Sequence, residues 1–308
     1  MLRFVLRRAG SLVAVLLVLS AVVFALQQIS PGDPARAALG ANASRQAVDA
    51  ERTRLGLDDP LPVQFLRFLT RAVHGDFGTS YRTHRPVATD LASAVPATLE
   101  LVLAAFVVAL LLATLFAASA ALRWPGTGIL RGVLLLGATA PPFLLALAGV
   151  IVFYARLDWL PGSGRGDGGV GSELAHLVLP ATVLAIAPAL AIGRILRSGL
   201  ETTLAADHVR TARSKGLGEA TVLARHVVRN SLGPALSMAG LQLGFTFAGT
   251  VVVEQVFSWP GLGNYLANSI PTSDYPAIAA VTLVLGAVYV LVNTVADVLQ
   301  TAADPRLA

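Results

Sequence analysis

The sequence predicts an all-α membrane protein with six transmembrane helices, short helices in one cytoplasmic loop, and a small extracytoplasmic subdomain between the first and second spans. Three observations predict it. Of 308 residues, 55% are hydrophobic and only 13% charged, whereas a soluble domain carries about a quarter charged residues. A large core does not account for that deficit, because a soluble surface must still be covered with polar groups. Six apolar runs reach the roughly 20 residues needed to cross a bilayer. None alternates with the period of 2 that a barrel strand requires, which leaves helices.

In chain order the spans are Ala9–Ile29, Ala97–Leu122, Ile129–Tyr154, Leu177–Leu196, Ala235–Val256 and Ala277–Leu299. Charges or Pro/Gly clusters bound each one, such as Ser30-Pro31-Gly32-Asp33-Pro34 after the first. Three regions follow: residues 1–29 as tail and first span, 30–96 as the extracytoplasmic subdomain, and 97–308 as a five-helix domain whose loop lies at 200–232. Arg3, Arg7 and Arg8 resemble the basic start of a signal peptide. An uncleaved anchor fits better, because the apolar run is long and Ala35-Arg36-Ala37 is a charged cleavage match. Residues 30–96 balance acids and bases, with a helix expected near Pro62–His74; so short a segment buries little core alone and should rest on the spans or a partner.

Orientation follows from the basic residues of the short loops, which accumulate on the cytoplasmic side. Arg3, Arg7, Arg8, Arg123, Arg131, Arg194, Arg197, Arg210, Arg213, Lys215, Arg225 and Arg229 fall on one side if the N-terminus is inside. The short loops opposite hold only Arg156 and Arg165. The eight arginines of 30–96 do not count against this, because long translocated segments obey the rule poorly. Both termini are therefore expected in the cytoplasm. Arginine supplies every basic residue except Lys215, and with abundant Ala and Val this suggests a GC-rich bacterial genome and a multi-pass protein of the bacterial inner membrane. The net charge of +5 is explained by this topology, without nucleic acid.

Absences narrow the chemistry. There is no Cys, so no disulfide, thiolate metal site or thiol nucleophile exists. A P-loop needs Lys directly after Gly, and the single Lys215 follows Ser214. Two Gly-x-Gly-x-x-Gly matches, starting at Gly164 and Gly166, lie in an outer loop with no preceding strand and read as a flexible turn. The five histidines lack metal-ligand spacing. Glu100, Glu254 and Asp297 sit towards span ends, which suits interfacial placement or pairing with another helix better than a midplane proton relay. Pro180 and Pro188 suggest a bend in the fourth span, and Gly240 and Gly244 permit close helix approach in the fifth.

The cytoplasmic loop offers Asp207 as an N-cap and Gly216 as the residue past a helix C-terminus, with Lys215 in the last turn. A second short helix is expected from Glu219 to Arg229, ahead of a fifth span opened by Ser231 and Pro234. Two readings stay open on physical grounds: a basic loop held near anionic headgroups, or a compact protrusion that docks in a groove.

The loop resembles the coupling motif of importer permeases of the ATP-binding-cassette class. Val209-Arg210-Thr211-Ala212-Arg213, Lys215-Gly216-Leu217 and Arg225-His226…Arg229-Asn230 are similar to the peptide-permease branch, with His208 where Tyr is usual. Pro31-Gly32-Asp33-Pro34-Ala35, Leu55 to Gln64, Gly75 to Ser80, Val253 to Gly263, Asp274-Tyr275-Pro276 and Asp304-Pro305-Arg306 look like the B-type subunit of dipeptide and oligopeptide permeases. The long segment after the first span favours the B-type over the C-type. The resemblance implies coupling helices in the loop, with Val209, Arg210, Thr211, Ala212, Lys215, Gly216 and Leu217 meeting an ATPase cleft. It also implies a C-type second permease, two nucleotide-binding subunits holding the ATP and Mg²⁺, and an extracytoplasmic peptide-binding protein. This chain itself would carry no cofactor and no catalytic residue. Candidate pathway or gating residues are Thr139, Thr182, Gln242, Thr246 and Glu254. The implied cargo is a di- or oligopeptide, with nickel or glutathione as alternatives; a proton-driven carrier and a non-transporting scaffold are the rival functions.

Overall fold

The computed structural model describes residues 2–29, 33–40, 42–121, 124–166 and 168–303. Pro31, Gly32, Arg123 and Asp304-Pro305-Arg306 lie outside them, as do the side chains of Arg3, Arg7, Arg8 and Asp297. Among the described residues the regular structure is helical, apart from one isolated antiparallel bridge between Thr79 and Pro86, and turns and loops join the helices. Five helices are long and apolar enough to cross a membrane: Ala9–Ile29, Val87–Ala121, Val170–Leu204, Glu219–Val256 and Tyr275–Val295. A bent pair, Thr127–Thr139 with Pro142–Arg156, makes the sixth if counted as one span.

The chain divides into two compact units, Met1–Thr98 with Pro260–Leu291 and Leu99–Trp259 with Val292–Ala308. The first unit begins with α1 (Leu2–Ile29), followed by α2 (Pro34–Leu39), α3 (Arg45–Leu55) and α4 (Leu61–Val73). Local chemistry sets these boundaries. Asp33 accepts the Ala35 N–H and precedes Pro34 at the first helical position, and Ser44 accepts the Ala47 N–H, as good N-caps do. Gly56 ends α3 at φ 67°, with its N–H on Thr53 O and the Leu57 N–H on Arg52 O, the paired bonds of a Schellman motif. Phe24 of α1 meets Phe65 and Phe68 of α4 at centroid distances of 5.3 and 6.5 Å.

A second core of this unit joins the start of α5 (Val87–Ala121) to α12 (Leu262–Ser269) and the start of α13 (Tyr275–Ala303), with Val87, Leu91, Leu262 and Val281 buried. Beside it lies a buried polar knot. Asp274 is fully buried and accepts from the Ser80 hydroxyl at 2.5 Å and the Tyr81 N–H at 3.0 Å. Asp90 accepts from the Thr83 hydroxyl at 2.7 Å and the Tyr265 hydroxyl at 3.1 Å. Buried carboxylates persist only when satisfied in this way. Tyr81 is pushed up to about 12 by its burial and the neighbouring Asp274 carboxylate.

The second unit holds the rest of α5, α6 (Thr127–Thr139), α7 (Pro142–Gly149) running into a π-helical turn Val150–Arg156, and α8 (Val170–Leu204). It continues through α9 (Asp207–Ser214), α10 (Glu219–Thr221), a second π-helical stretch Val222–Val228, and α11 (Arg229–Val256). Here three expectations are corrected. The third span is not one rod, because α6 and α7 meet at 117°. Pro141 and Pro142 remove two N–H donors, and the residue before a proline leaves the helical region; Ala140 is extended at ψ 140°. Conversely, no break separates the loop's second helix from the fifth span, since Glu219–Val256 is one helical run through Pro234. Burial of Val222, Val227 and Ala235 in one cluster holds both sides of that proline in line. Finally, Asp207 is not the N-cap: Ala206 occupies that position, and Asp207 is the first helical residue.

The fourth span is longer than expected. Its helix α8 has 35 residues, about 52 Å at 1.5 Å each, against a hydrocarbon core of about 30 Å. Pro180 and Pro188 lie inside it, both buried. Glycine permits the close contacts of this unit. A Cβ added at Gly193 would lie 2.8 Å from the Phe116 ring, and one at Gly199 would lie 3.2 Å from Ser231.

Candidate functional site

The loop at 201–232 has a definite geometry. Helix α9 is held by two residues one turn apart, Val209 and Ala212, which are buried against Leu196, Leu200, Val222, Val227 and Ala235. This i, i+3 pair is the inward stripe of an amphipathic helix. The other five predicted residues, Arg210, Thr211, Lys215, Gly216 and Leu217, are all exposed. The seven residues thus separate into two anchors and a five-residue outer surface.

The helix is closed at its C-terminal end as the glycine implied. Gly216 adopts φ 77°, its N–H bonds to Arg213 O at 3.0 Å, and the Leu217 N–H bonds to Ala212 O at 3.4 Å. Both bonds of the Schellman motif are present. Across the Gly216-Leu217-Gly218 turn, Arg213 grips Glu219 with two bonds, Nε to Oε1 at 2.7 Å and Nη2 to Oε2 at 3.1 Å. Planar bidentate pairing suits Arg in particular, although both side chains are about half exposed and solvent screens the pair. At the helix start Asp207 stands beside Arg210 at 3.5 Å and favours the helix dipole.

The helix expected over Glu219–Arg229 is the base on which α9 rests, and its π-helical geometry is what sequence reasoning missed. Val222–Val228 is π-helical, and Val222 and Val227, its two buried residues, are five apart, matching the i→i+5 repeat of a π-helix. The apolar spacing at 222, 223 and 227 was the available signal. Ser231, also buried, donates to Val227 O at 2.9 Å and shares a hydrogen bond with the Thr203 hydroxyl at 3.2 Å, linking α11 to the end of α8.

The five pathway candidates are placed differently. Thr139 ends α6 and donates to its own helix at Leu135 O and Leu136 O, at 3.1 and 3.0 Å. Thr182 and Thr246 likewise bond back to Val178 O and Gln242 O, at 2.7 and 2.8 Å. Such hydroxyls are already engaged with the preceding turn. The Gln242 amide stands 3.8 Å from the Met238 sulfur. Glu254 is completely buried in α11. Glu100 pairs with Arg165 at 2.5 Å. None of these residues lines either of the cavities of about 890 and 270 Å³.

The larger cavity lies within the first unit. Its walls include Phe24, Phe68 and Phe77, and its rim carries three paired charges: Arg54–Glu51, Arg67–Asp59 and Arg71–Asp76, at 2.6, 2.6 and 2.9 Å. The Arg71 guanidinium and the Gly78 N–H hold the Asp76 carboxyl below its ordinary range. The cavity offers both an apolar floor and charged, exposed edges.

Two family models match the chain. The "Binding-protein-dependent transport system inner membrane component" model covers residues 109–308, and its N-terminal companion for the membrane component covers residues 1–102. Among curated relatives, the chain is 39% identical over 311 residues to the glutathione transport system permease protein GsiC of Salmonella paratyphi A, covering all of this chain and 99% of that protein. It is 38% identical to the proteins of the same name from Salmonella typhimurium and Escherichia coli K12, with the same coverage.

Proposed function

Because the chain belongs to the family of binding-protein-dependent transport system inner membrane components, we propose that it carries glutathione or a similar short peptide from an extracytoplasmic binding protein into the cytoplasm. It is the permease component of an ABC importer of the inner membrane. The names of the relatives move the cargo reading from di- and oligopeptides in general towards glutathione, which is itself a tripeptide. In this reading ATP and Mg²⁺ are bound by two separate ATPase subunits, and a second, C-type permease completes the pathway. Both termini lie in the cytoplasm. The first-unit cavity and the 260–274 segment face the binding protein.

One observation carries the coupling role: α9 is anchored by Val209 and Ala212 and turns Arg210, Thr211, Lys215, Gly216 and Leu217 outward. An element fixed on one side and bare on the other can transmit a push from a partner to α8 and α11, which share its buried cluster. ATP-driven closure of the ATPase pair would then turn the permease pair between inward- and outward-facing states. The test is reconstitution in proteoliposomes with the partner subunits. Glutathione-loaded binding protein should stimulate ATP hydrolysis and uptake, and Gly216→Pro should abolish both, because proline cannot adopt φ 77°. If Gly216→Pro leaves stimulation intact, the coupling role is wrong. If dipeptides stimulate and glutathione does not, the cargo assignment is wrong.

A further inference from the structure

The second unit has a basic pocket that the transport reading does not use. A cavity of about 270 Å³ is lined by Arg131, Arg194, Arg197, Ser198, Glu201 and Phe116. Three guanidiniums and one carboxylate give the lining a net charge of +2. Arg131 comes from the second turn of α6 and the others, Phe116 aside, from the last third of α8. The two helices are brought together by Leu134 against Ala185, Ala189 and Leu190. Gly193 lets Phe116 approach the α8 backbone to form the pocket floor.

Glu201 neutralises only one of the three arginines, through Arg197 Nε at 2.8 Å. Among the described residues no carboxylate stands within ion-pair distance of Arg131 or Arg194. Unpaired guanidiniums converging on one hollow call for an anion, and their planar forks fit phosphate oxygens. Depth identifies the source of that phosphate. Arg131 lies two residues inside the start of the apolar run Ile129–Tyr154 and Arg194 two residues before the end of Leu177–Leu196, the cytoplasmic ends of both in the orientation that the loop charges give, where lipid headgroups stand.

We propose that this pocket binds the phosphate of an anionic phospholipid, with Arg131 and Arg194 as its principal ligands and Ser198 as an additional donor. Basic pockets between transmembrane helices suit such headgroups. The proposal does not depend on which cargo is carried.

The full chain, purified in detergent, is titrated with phosphatidylglycerol and with phosphatidylcholine, reading the thermal unfolding midpoint and lipid retention by native mass spectrometry. Phosphatidylglycerol should be retained and should raise the midpoint, while phosphatidylcholine does neither. Arg194→Gln should weaken the apparent phosphatidylglycerol affinity about fivefold, and Arg131→Gln with Arg194→Gln about 25-fold. Both arginines are exposed, so the midpoints of these variants in phosphatidylcholine should equal that of the parent. Should the double variant fail to fold, the single variant decides the matter. Equal retention of both lipids, or unchanged affinity in Arg194→Gln, overturns the proposal. So does a midpoint shift of the same size from inorganic phosphate or from glutathione without lipid.

Discussion

Replacing Gly216 by alanine isolates one physical effect. At φ 77° a residue with a Cβ is strained, by about 1–2 kcal/mol. Nothing lies within 4 Å of the Cβ that alanine would add, so no clash contributes and the whole cost is backbone strain. The Arg213–Glu219 pair that spans the turn is too exposed and too well screened by solvent to offset it. The least costly relief is to unwind the last turn of α9, losing the Gly216 N–H to Arg213 O and Leu217 N–H to Ala212 O bonds. Amides at 212–217 should therefore exchange about 5- to 30-fold faster in Gly216→Ala, while those of α8 and α11 stay unchanged. Hydrogen–deuterium exchange on the full chain in nanodiscs measures this directly. In the assembled importer the same variant should lower binding-protein-stimulated ATP hydrolysis without changing basal hydrolysis. Unchanged exchange at 212–217 alongside a loss of stimulation would refute the argument, because the strained turn would then not be the cause.

Val209→Ala should cost about 2 kcal/mol, since it deletes fully buried methyl groups, whereas Arg210→Ala should move the unfolding midpoint hardly at all yet impair stimulation of the ATPase. Asp274→Ala strands the buried Ser80 hydroxyl and the Tyr81 N–H; each orphaned donor costs about 1–3 kcal/mol, so exchange at 80–86 should rise steeply and thermal stability fall. Asp76 provides a pH test. Its folded-state carboxyl is held below its ordinary value by Arg71 and Gly78, so it stabilises the fold above its unfolded-state value of about 4, and that contribution is lost as pH falls through the lower folded value. The difference in exchange at 71–78 between parent and Arg71→Gln should thus be full at pH 6 and shrink below pH 4. Ser258, left-handed at φ 48° with its N–H on Gln255 O, should accept glycine with a gain of about 1 kcal/mol, read as a raised midpoint.

Much of the candidate site was legible because it is local. Gly216 announced its left-handed turn, and Lys215 the end of the helix before it. Misreadings came where packing overrode a local rule or two rules competed. Pro234 reads as a helix start, yet Val227 and Ala235 are buried on both sides of it and carry the helix through. Pro141-Pro142 was a visible break inside an apolar run that length alone reads as a single span. Asp207 has a good capping side chain, but Ala206 provides the extended backbone at ψ 147°, leaving Asp207 one position too late.

The amino-acid sequence alone determined that this is an all-α membrane protein with six apolar crossings, no P-loop and a short capped helix in one basic loop. Those properties depend on composition and on residues a few positions apart. Only the tertiary structure decided which residues of that helix are anchors and which form its outer surface, since burial depends on Leu196, Val222 and Ala235 meeting α9. Only it joined Ser80 to Asp274, 194 residues apart, and gathered Arg131 with Arg194 and Arg197 around one pocket. Contacts at such separations are set by how helices pack, and helix packing leaves no local pattern to read.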